Sequence, residues 1–529
     1  MTYLTRIRPL LPLILVIAGA LIIRVCAVLM TGERLGFDDI ISLSIASKPF
    51  SDMGRYLAVE NHPPLHFYLL HFWIAAFGAS PFALKLSSVI AAVGGVMATW
   101  GITRRLFDAR AAFAASLLVA FSSFHILFTT DVRMYAWLYL FSVLSFWSFW
   151  ELLRHDRWWV RGWWLAATVT ALYTHLGAVF VVGAEVIYYF SRVLIVRIFP
   201  RCRDMFPSSS LRFKTWASLV VAACAAWAPW LISYARDQGT SFGKAMWYFW
   251  VTTARPFPIE ATHRFLLFDN YSPYLDFFGW VLVGAGLAAA LIRLSRTTRG
   301  VTIQHWIDEP TLYVLIIYLF PLTIGFFFHV WVIKYYMAAA VGLYALLGKG
   351  LARLAPPWGF SPSLLASVLA FFLIASSIGV VTDVRPAWLE AGNFLNAHHH
   401  DADHIIVLTQ GLEVALRYYY HGETPLASFY PPADYASGDP LYRSVRRYPE
   451  PLIRPATVPL MDAFMEGKQK VWVFNALNFR EEQMLMEWFS RNGWILRERK
   501  GWVDYFVNPE VSLWERPLSP VHPVTTGIP

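Results

Sequence analysis

Charge is what this sequence has least of. Only 15% of its 529 residues are charged and 57% are hydrophobic, whereas a soluble domain carries about a quarter charged residues. That shortage, with many long apolar runs, excludes a freely soluble enzyme and a protein with a single anchor; it implies a chain that crosses a bilayer repeatedly. Cysteine is nearly missing: Cys26, Cys202 and Cys224 are all there are, and no spacing makes a thiolate metal cage or a disulfide framework. No internal repeat is visible, although paired halves are common in transporters. No small-residue cleavage site follows the first apolar run, so Arg6 and Arg8 read as the start of a span and not of a signal peptide. Acids are scarcer than bases, and the formal charge is +9. The basic excess falls in short loops between apolar runs, as orientation signals do. Nucleic acid is therefore not an expected partner, and the lipid bilayer is.

What is abundant is aromatic and aliphatic: aromatics make up 17% of the chain, with 24 Trp, in keeping with interfacial belts. Read as runs of ~20 apolar residues, the spans begin with Pro9–Met30. Arg24 inside it either snorkels or faces the bundle interior. Leu65–Gly78 is apolar but short and reads as an interfacial or re-entrant helix. Then come Pro81–Ile102, Ala111–Phe128, a run ending near Leu153, two spans sharing Trp163–Phe190 with a break at Tyr173-Thr174-His175, and Trp216–Tyr234. Leu275–Ile292, Leu312–Val330, a run ending at Lys349 and Arg353, and Pro362–Val381 follow. The expected fold is thus an all-α polytopic membrane domain, about 11 transmembrane helices plus interfacial helices, over residues 1–382.

From Asp383 the character changes. His404 to Thr409 and Lys470 to Phe474 read as buried strands, Leu412–His421 and Arg480–Asn492 as helices, and Trp494–Leu496 and Trp502–Val507 as closing strands. Residues 383–529 are expected to form a small C-terminal α/β domain, extracytoplasmic because the span count is odd.

The loop from Gly32 to Leu70 is the most polar stretch near a span. It holds the pair Asp38-Asp39, then Arg55, Glu60, Asn61, His62, Pro63 and Pro64. Carboxylates this close to a bilayer are costly unless they have a task or a partner. With the N-terminus cytoplasmic, every Arg-rich short loop falls on the cytoplasmic side. Asp38, Asp39, His62, Asp131, Arg133, His175 and Lys334 all fall on the other. Nothing in the charge count forces that coincidence, and it makes these residues candidates for one shared site. Each has a plainer role beside it. Asp39 suits the N-cap of a helix over Ile40–Ala46, and His62 is a polar residue before a helix starting at Pro63. Asp131 and Arg133 could form a local ion pair, His175 could hold a helix break, and Lys334 could snorkel to headgroups. Glu60 with His62 and Asp131 offers ligand types suited to a divalent metal. The tract His398-His399-His400 with Asp401, Asp403 and His404 fits a solvated turn better than a metal site. Trp247, Tyr248, Phe249 and Trp250 either line a lipid slot or anchor at the interface.

Phe37-Asp38-Asp39, His62-Pro63-Pro64-Leu65, Phe124-His125 through Asp131-Val132-Arg133-Met134-Tyr135, and Tyr173-Thr174-His175 stand in this order along the first ~200 residues. In that order they resemble the GT-C membrane glycosyltransferases that use polyprenyl-phosphate-linked sugars. The likeness is nearest to the bacterial group similar to the lipid A aminoarabinose transferase and to the protein O-mannosyltransferases. The family's Asp-Glu pair is Asp-Asp here, and Asp131 stands where Glu is frequent; both changes shorten a side chain by one methylene and keep the charge.

The resemblance implies transfer of a monosaccharide, with inversion, from a polyprenyl phosphate to an extracytoplasmic acceptor hydroxyl on a glycolipid, lipid A or a cell-surface polysaccharide. It implies residence in the inner (plasma) membrane with the site on the periplasmic side. Asp38 is then the general base, with Asp39 the alternative. Arg55, Glu60, His62, Asp131, Arg133, Tyr135, His175 and Lys334 are candidates for substrate contacts, His62 standing where relatives place a phosphate-binding residue. Glu60 and Asp131 are the candidate ligands if a divalent metal is used. The competing readings are a transporter or flippase of a lipid-linked sugar, which would also carry intramembrane charge, and a non-catalytic sugar-binding subunit.

Overall fold

The computed structural model describes residues 11–58, 62–200, 206, 209–238, 258–267, 273–297, 300–305, 308–328, 332–354, 374–375, 378, 387–407, 412–428, 441, 458–475, 479–502 and 508–517. In chain order its helices begin with α1 (Leu11–Thr31), α2 (Phe37–Ala46), α3 (Phe50–Leu57), α4 (Leu65–Phe77), α5 (Pro81–Leu106), α6 (Ala109–Phe121), α7 (Ser123–Thr129) and α8 (Tyr135–Arg154). They continue with α9 (Trp158–Thr174), α10 (Val179–Ile198), α11 (Phe213–Gln238), α12 (Pro258–Leu267) and α13 (Pro273–Leu291). A hairpin of β1 (Ile292–Thr297) and β2 (Gly300–His305) leads to α14 (Glu309–Phe328) and α15 (Met337–Leu354). The C-terminal part has α16 (Ala387–His398), β3 (His404–Val407), α17 (Leu412–Tyr419), β4 (Leu426–Ser428), α18 (Val458–Met465), β5 (Lys470–Asn475), α19 (Phe479–Arg491), β6 (Ile495–Gly501) and β7 (Glu510–Glu515).

These elements fall into two units. The first is Met1–Glu33 with Asn61–Val384, the second Arg34–Glu60 with Arg385–Pro529. The stretch Arg34–Glu60 therefore groups with the C-terminal part of the chain, whereas a single cut between 382 and 383 had put it with the spans. The reason is local. The hydroxyl of Tyr419 on α17 accepts from Leu35 N at 2.7 Å and donates to Leu35 O at 2.9 Å, and Phe37 stacks on Trp388 of α16 at 5.7 Å between ring centroids.

The first unit is a helical bundle. Among the described residues, seven helices are long and apolar enough to cross a membrane, or eight if the bent pair α6–α7 is one span. The expected count of about 11 differs at identifiable places. α9 is a 17-residue helix, and the span expected over Pro362–Val381 lies almost wholly outside the described residues. α4 has 13 residues, ~20 Å at 1.5 Å per residue, well short of the ~30 Å hydrocarbon core. That length fits the interfacial or re-entrant helix expected over Leu65–Gly78. The helices start where the sequence caps them. Ser80 accepts from Ala83 N with Pro81 in the first turn, and Asp108 accepts from Arg110 N and Ala111 N at 2.8 Å. α15 is buried on nearly every side. Its Gly342 and Gly350 lie so close to Val314 O and Gly286 O that a methyl group at either would overlap a backbone carbonyl. Small residues at such crossings let membrane helices approach closely.

Buried charge inside the bundle is answered by named groups. Glu309 at the start of α14 takes Arg154 of α8 at 3.0 Å, Arg192 of α10 at 2.8 Å and the Tyr188 hydroxyl at 3.0 Å. Lys349 of α15 meets both oxygens of Asp308 at 3.1 Å. Glu185 of α10 accepts from Ser145 Oγ and Trp164 Nε1, each at 2.9 Å. Arg24 faces the bundle interior and does not snorkel; it is fully buried.

The second unit contains a five-stranded sheet in the order β4-β3-β5-β7-β6. β3 runs parallel to β4 and β5, while β7 is antiparallel to β5 and β6. Ile406, Val471 and Val473 of the sheet pack with Leu485, Trp488 and Phe489 of α19. Two strands and two helices stand close to where they were expected, at His404–Val407, Leu412–Tyr419, Lys470–Asn475 and Phe479–Arg491, but the closing strands are shifted. Trp494 joins this core, just after Gly493 turns the chain with φ +76° at the end of α19. The strand then runs to Gly501, and its partner is Glu510–Glu515; residues 503–507 of the expected strand lie outside the described residues. β6 is exposed along its length and carries Arg497, Glu498, Arg499 and Lys500, charges of the kind that keep an edge strand from pairing with another chain.

Candidate active site

In the first unit the polar residues come from the beginnings of helices. His62 precedes α4, where Pro63 and Pro64 pre-set the first turn. Arg133 and Tyr135 lie where the chain turns from α7 into α8. His175 sits in extended conformation between α9 and the 3-10 turn Leu176–Ala178 that opens α10. Lys334 and Tyr335 lie in the 3-10 turn Ile333–Tyr336 that opens α15. The Arg154–Arg192–Glu309 cluster lies toward the other ends of α8 and α10: Arg154 closes α8, ~30 Å from its start, and Arg192 is ~20 Å along α10, at 1.5 Å per residue. The charge ladder of the sequence thus has a structural counterpart, with one face of basic helix ends and another of mixed polar groups.

His175 is the hub of that second face. Its ring lies 5.4 Å from His62, 5.8 Å from Tyr135 and 4.8 Å from Tyr335, centroid to centroid. Lys334 Nζ stands 5.2 Å from the centre of the Tyr135 ring, a cation–π distance. His175 is 2% exposed, His62 5% and Arg133 3%, so the cluster is largely screened from solvent. His175 Nδ1 accepts from Gly177 N at 2.9 Å, which leaves Nε2 as the protonated nitrogen of the neutral ring. Burial first, and then the neighbours His62, Arg133 and Lys334, hold its pKa well below the ordinary 6.5. His66, the second residue of α4, is pushed down in the same way by burial and then by Arg133. Arg133 and Lys334 make the surroundings of His175 electropositive. Asp131 is partly exposed, and its carbonyl accepts from Ser88 Oγ of α5 at 2.6 Å, which ties the 130–134 turn to the bundle.

The acids sit in the second unit. α2 begins at Phe37, two residues before Asp39, so Asp39 is its third residue rather than its cap. Asp39 Oδ2 accepts from Gly36 N at 3.1 Å, the reciprocal arm of a capping box. Asp39 is buried and Asp38 partly exposed. Ser42 Oγ donates to the carbonyl of Asp38 at 3.0 Å. Arg55 is exposed on α3 with its guanidinium 5.9 Å from the Tyr56 ring centre.

The structure therefore brings together His62, Arg133, Tyr135, His175 and Lys334 in one unit, and Asp38, Asp39 and Arg55 in the other. Glu60 and Trp247, Tyr248, Phe249 and Trp250 lie outside the described residues. Among the described residues no group of three or more His, Cys, Asp or Glu side chains stands close enough to hold a metal ion. The His398–His400 tract is a turn: His398 Nδ1 is 2.8 Å from Phe394 O, and Asp403 Oδ2 accepts from Gln469 N and Lys470 N at 2.8 and 3.0 Å. Two members of the basic cluster were not singled out from sequence, His66 and Tyr335. His66 carried a signal, its four-residue spacing from His62, and Tyr335 only its place beside Lys334.

Residues 61–230 match the family model of dolichyl-phosphate-mannose-protein mannosyltransferases. Among curated proteins none matches the chain. Among solved structures, ArnT from Cupriavidus metallidurans bound to undecaprenyl phosphate superposes with a TM-score of 0.56 at 14% identity, covering 94% of this chain and 97% of that one. Its apo form gives 0.56 at 13% identity with the same coverage. The Archaeoglobus fulgidus oligosaccharyltransferase in complex with zinc and sulfate gives 0.45 at 14% identity, covering 87% of this chain and 67% of that one. The ArnT likeness extends over both units and shows the fold; the family match spans His62, Asp131, Arg133, Tyr135 and His175.

Proposed function

We propose that this chain, a multi-pass membrane glycosyltransferase of the GT-C type that draws on a polyprenyl-phosphate-linked donor, transfers one monosaccharide with inversion to an extracytoplasmic acceptor hydroxyl. A glycolipid, lipid A or a cell-surface polysaccharide is the acceptor, and the inner membrane the location. The observation that carries this reading is the buried basic cluster around His175. A phosphate leaving an anomeric carbon gains negative charge, and stabilising charge where it develops is usually the largest catalytic contribution. Arg133 is a permanent cation for it, with a planar fork suited to two phosphate oxygens, and Lys334 offers an ammonium beside it. His62 and the Nε2–H of His175 are donors that need no added charge.

In the reaction the acceptor oxygen attacks the anomeric carbon as the bond from that carbon to the phosphate oxygen breaks. Asp38 takes the proton of the acceptor hydroxyl, and the electron pair of the broken bond stays with the phosphate. A carboxylate also offsets the positive charge on the oxocarbenium-like sugar. Asp38 is favoured over Asp39 because Asp39 is buried and its Oδ2 already accepts from Gly36 N. The flippase reading is not favoured, since the matching family model is that of a transferase.

The test is full-length protein in nanodiscs, assayed with polyprenyl-phosphate sugars and with envelope glycolipids. Mass spectrometry of envelope glycans from cells lacking the protein identifies the missing sugar. Transfer that is abolished in Asp38→Asn while the lipid still binds supports the reading; movement of lipid-linked sugar across the bilayer without any transfer overturns it.

A further inference from the structure

The first span carries an arginine that the reaction does not call on, and its surroundings are unusually complete. All five N–H groups of Arg24 have an acceptor. Nε donates to Thr129 Oγ1 at 3.2 Å, one terminal nitrogen to Ala20 O at 3.1 Å and Ala120 O at 2.8 Å, and the other to Val119 O at 3.2 Å and His125 Nδ1 at 2.8 Å. None of these acceptors is a carboxylate. An arginine buried at a membrane helix normally faces a partner charge, a carbonyl set or water, and here it has chosen carbonyls.

Those carbonyls belong to a break in the helical ladder. α6 ends at Phe121, α7 starts at Ser123, and the two axes differ by 56°. Ending α6 leaves its last carbonyls without the amides that a continuing helix would supply. Arg24 takes two of them, Val119 O and Ala120 O, at the negative end of the α6 dipole. Through His125 and Thr129 the same guanidinium grips α7 on the far side of the bend. Ser122 at the corner is fixed separately. Its hydroxyl accepts from His125 N at 3.2 Å and donates to Phe265 O at 2.7 Å, and Tyr344 reaches both Ser122 Oγ and Phe265 O. α7 is only seven residues long, and Asp131, Arg133 and Tyr135 follow it directly.

We propose that Arg24 is a positioning residue: by bridging the broken ends of α6 and α7 it sets the bend, and with it the 130–135 turn that presents Arg133 and Tyr135 to the cluster around His175. The link to turnover rests on the function proposed above; the clamp itself does not. Lysine keeps the charge but has three donors on one nitrogen and cannot span both helices.

Two measurements on the full chain in nanodiscs decide it. Hydrogen exchange reads the clamp. In Arg24→Lys, and to a smaller degree in Thr129→Val, amides of 122–135 should exchange faster while those of α9, α10 and α15 keep their rates. Undecaprenyl phosphate, used without a sugar, reads the consequence. Arg24→Lys should weaken its binding by about tenfold, and in a cycle with Arg133→Ala the two effects should fall short of adding, because both act through one side chain. Unchanged exchange at 122–135, or faster exchange throughout the bundle, overturns the clamp. Strictly additive effects overturn its route through Arg133. A wild-type protein that binds no undecaprenyl phosphate sinks the glycosyltransferase reading instead, while the exchange data still judge Arg24.

Discussion

The first unit assembles its nitrogen-bearing side chains, two of them the cations Arg133 and Lys334, from four separate places in the sequence: the start of α4, the α7–α8 turn, the α9–α10 break and the turn before α15. The second carries its acids side by side on one short helix, with Tyr419 holding the backbone just ahead of them. The difference follows from what each group needs. A carboxylate pair at a helix start is stabilised by its own first turn and needs little else. Cations gathered away from water repel one another, and only a bundle that fixes each on a different helix holds them together.

Substitutions can break that comparison, starting with the acids. Asp38→Asn should lower turnover by about 10²–10⁴-fold, the range for a general base, with undecaprenyl phosphate affinity unchanged; equal losses of affinity and turnover would move Asp38 from the chemistry to binding. Next come the cations. Arg133→Ala removes a charge-assisted contact of about 1.5–3 kcal/mol and should weaken undecaprenyl phosphate about 10- to 100-fold, read by titration in nanodiscs. Normal affinity there would separate the basic cluster from the donor.

The remaining effects sharpen the picture of the second unit. Tyr419→Phe deletes the hydroxyl bonded to both backbone groups of Leu35 and should cost about 1 kcal/mol or slightly more, seen as a lower unfolding temperature with near-normal affinity for the lipid. Asp39→Asn should cost about 0.5–1 kcal/mol of α2 stability and leave most of the turnover. A collapse of turnover as deep as that of Asp38→Asn would exchange the roles of the pair. The smallest effect is at Asp403, whose carboxyl is held below its ordinary range chiefly by the Lys470 amide and also by that of Gln469. Folding favours its charged form, so its stabilisation is complete above the ordinary carboxylate pKa and is lost as the pH falls through the lowered one. Asp403→Asn should therefore unfold earlier than the parent at neutral pH, and the gap should close below about pH 4.

Much of this was legible beforehand. The apolar runs gave the span positions because twenty apolar residues have few other places to go. The break at His175 was visible because a polar residue interrupts a long apolar run. The Arg-rich loops marked one face, and the cluster of His62, Arg133, His175 and Lys334 was readable from its alternation with them. The β-strands over His404–Val407 and Lys470–Asn475 showed as short apolar runs. The grouping of Arg34–Glu60 with the C-terminal unit was not visible, because it depends on a tyrosine hydroxyl and two backbone atoms separated by 384 positions. His66 and Tyr335 were hidden because composition does not say which side of a turn faces the cluster.

By itself the sequence determined that this chain crosses a membrane repeatedly, and which polar and charged residues stand at the ends of its apolar runs. Those properties are set by hydrophobic length and charge, which every segment carries with it. The tertiary structure alone decided what Arg24 does. Within its own span the guanidinium reaches a single acceptor, Ala20 O, and only packing against a helix broken at Ser122 supplies the other four, Val119 O, Ala120 O, His125 Nδ1 and Thr129 Oγ1, that make its burial tolerable.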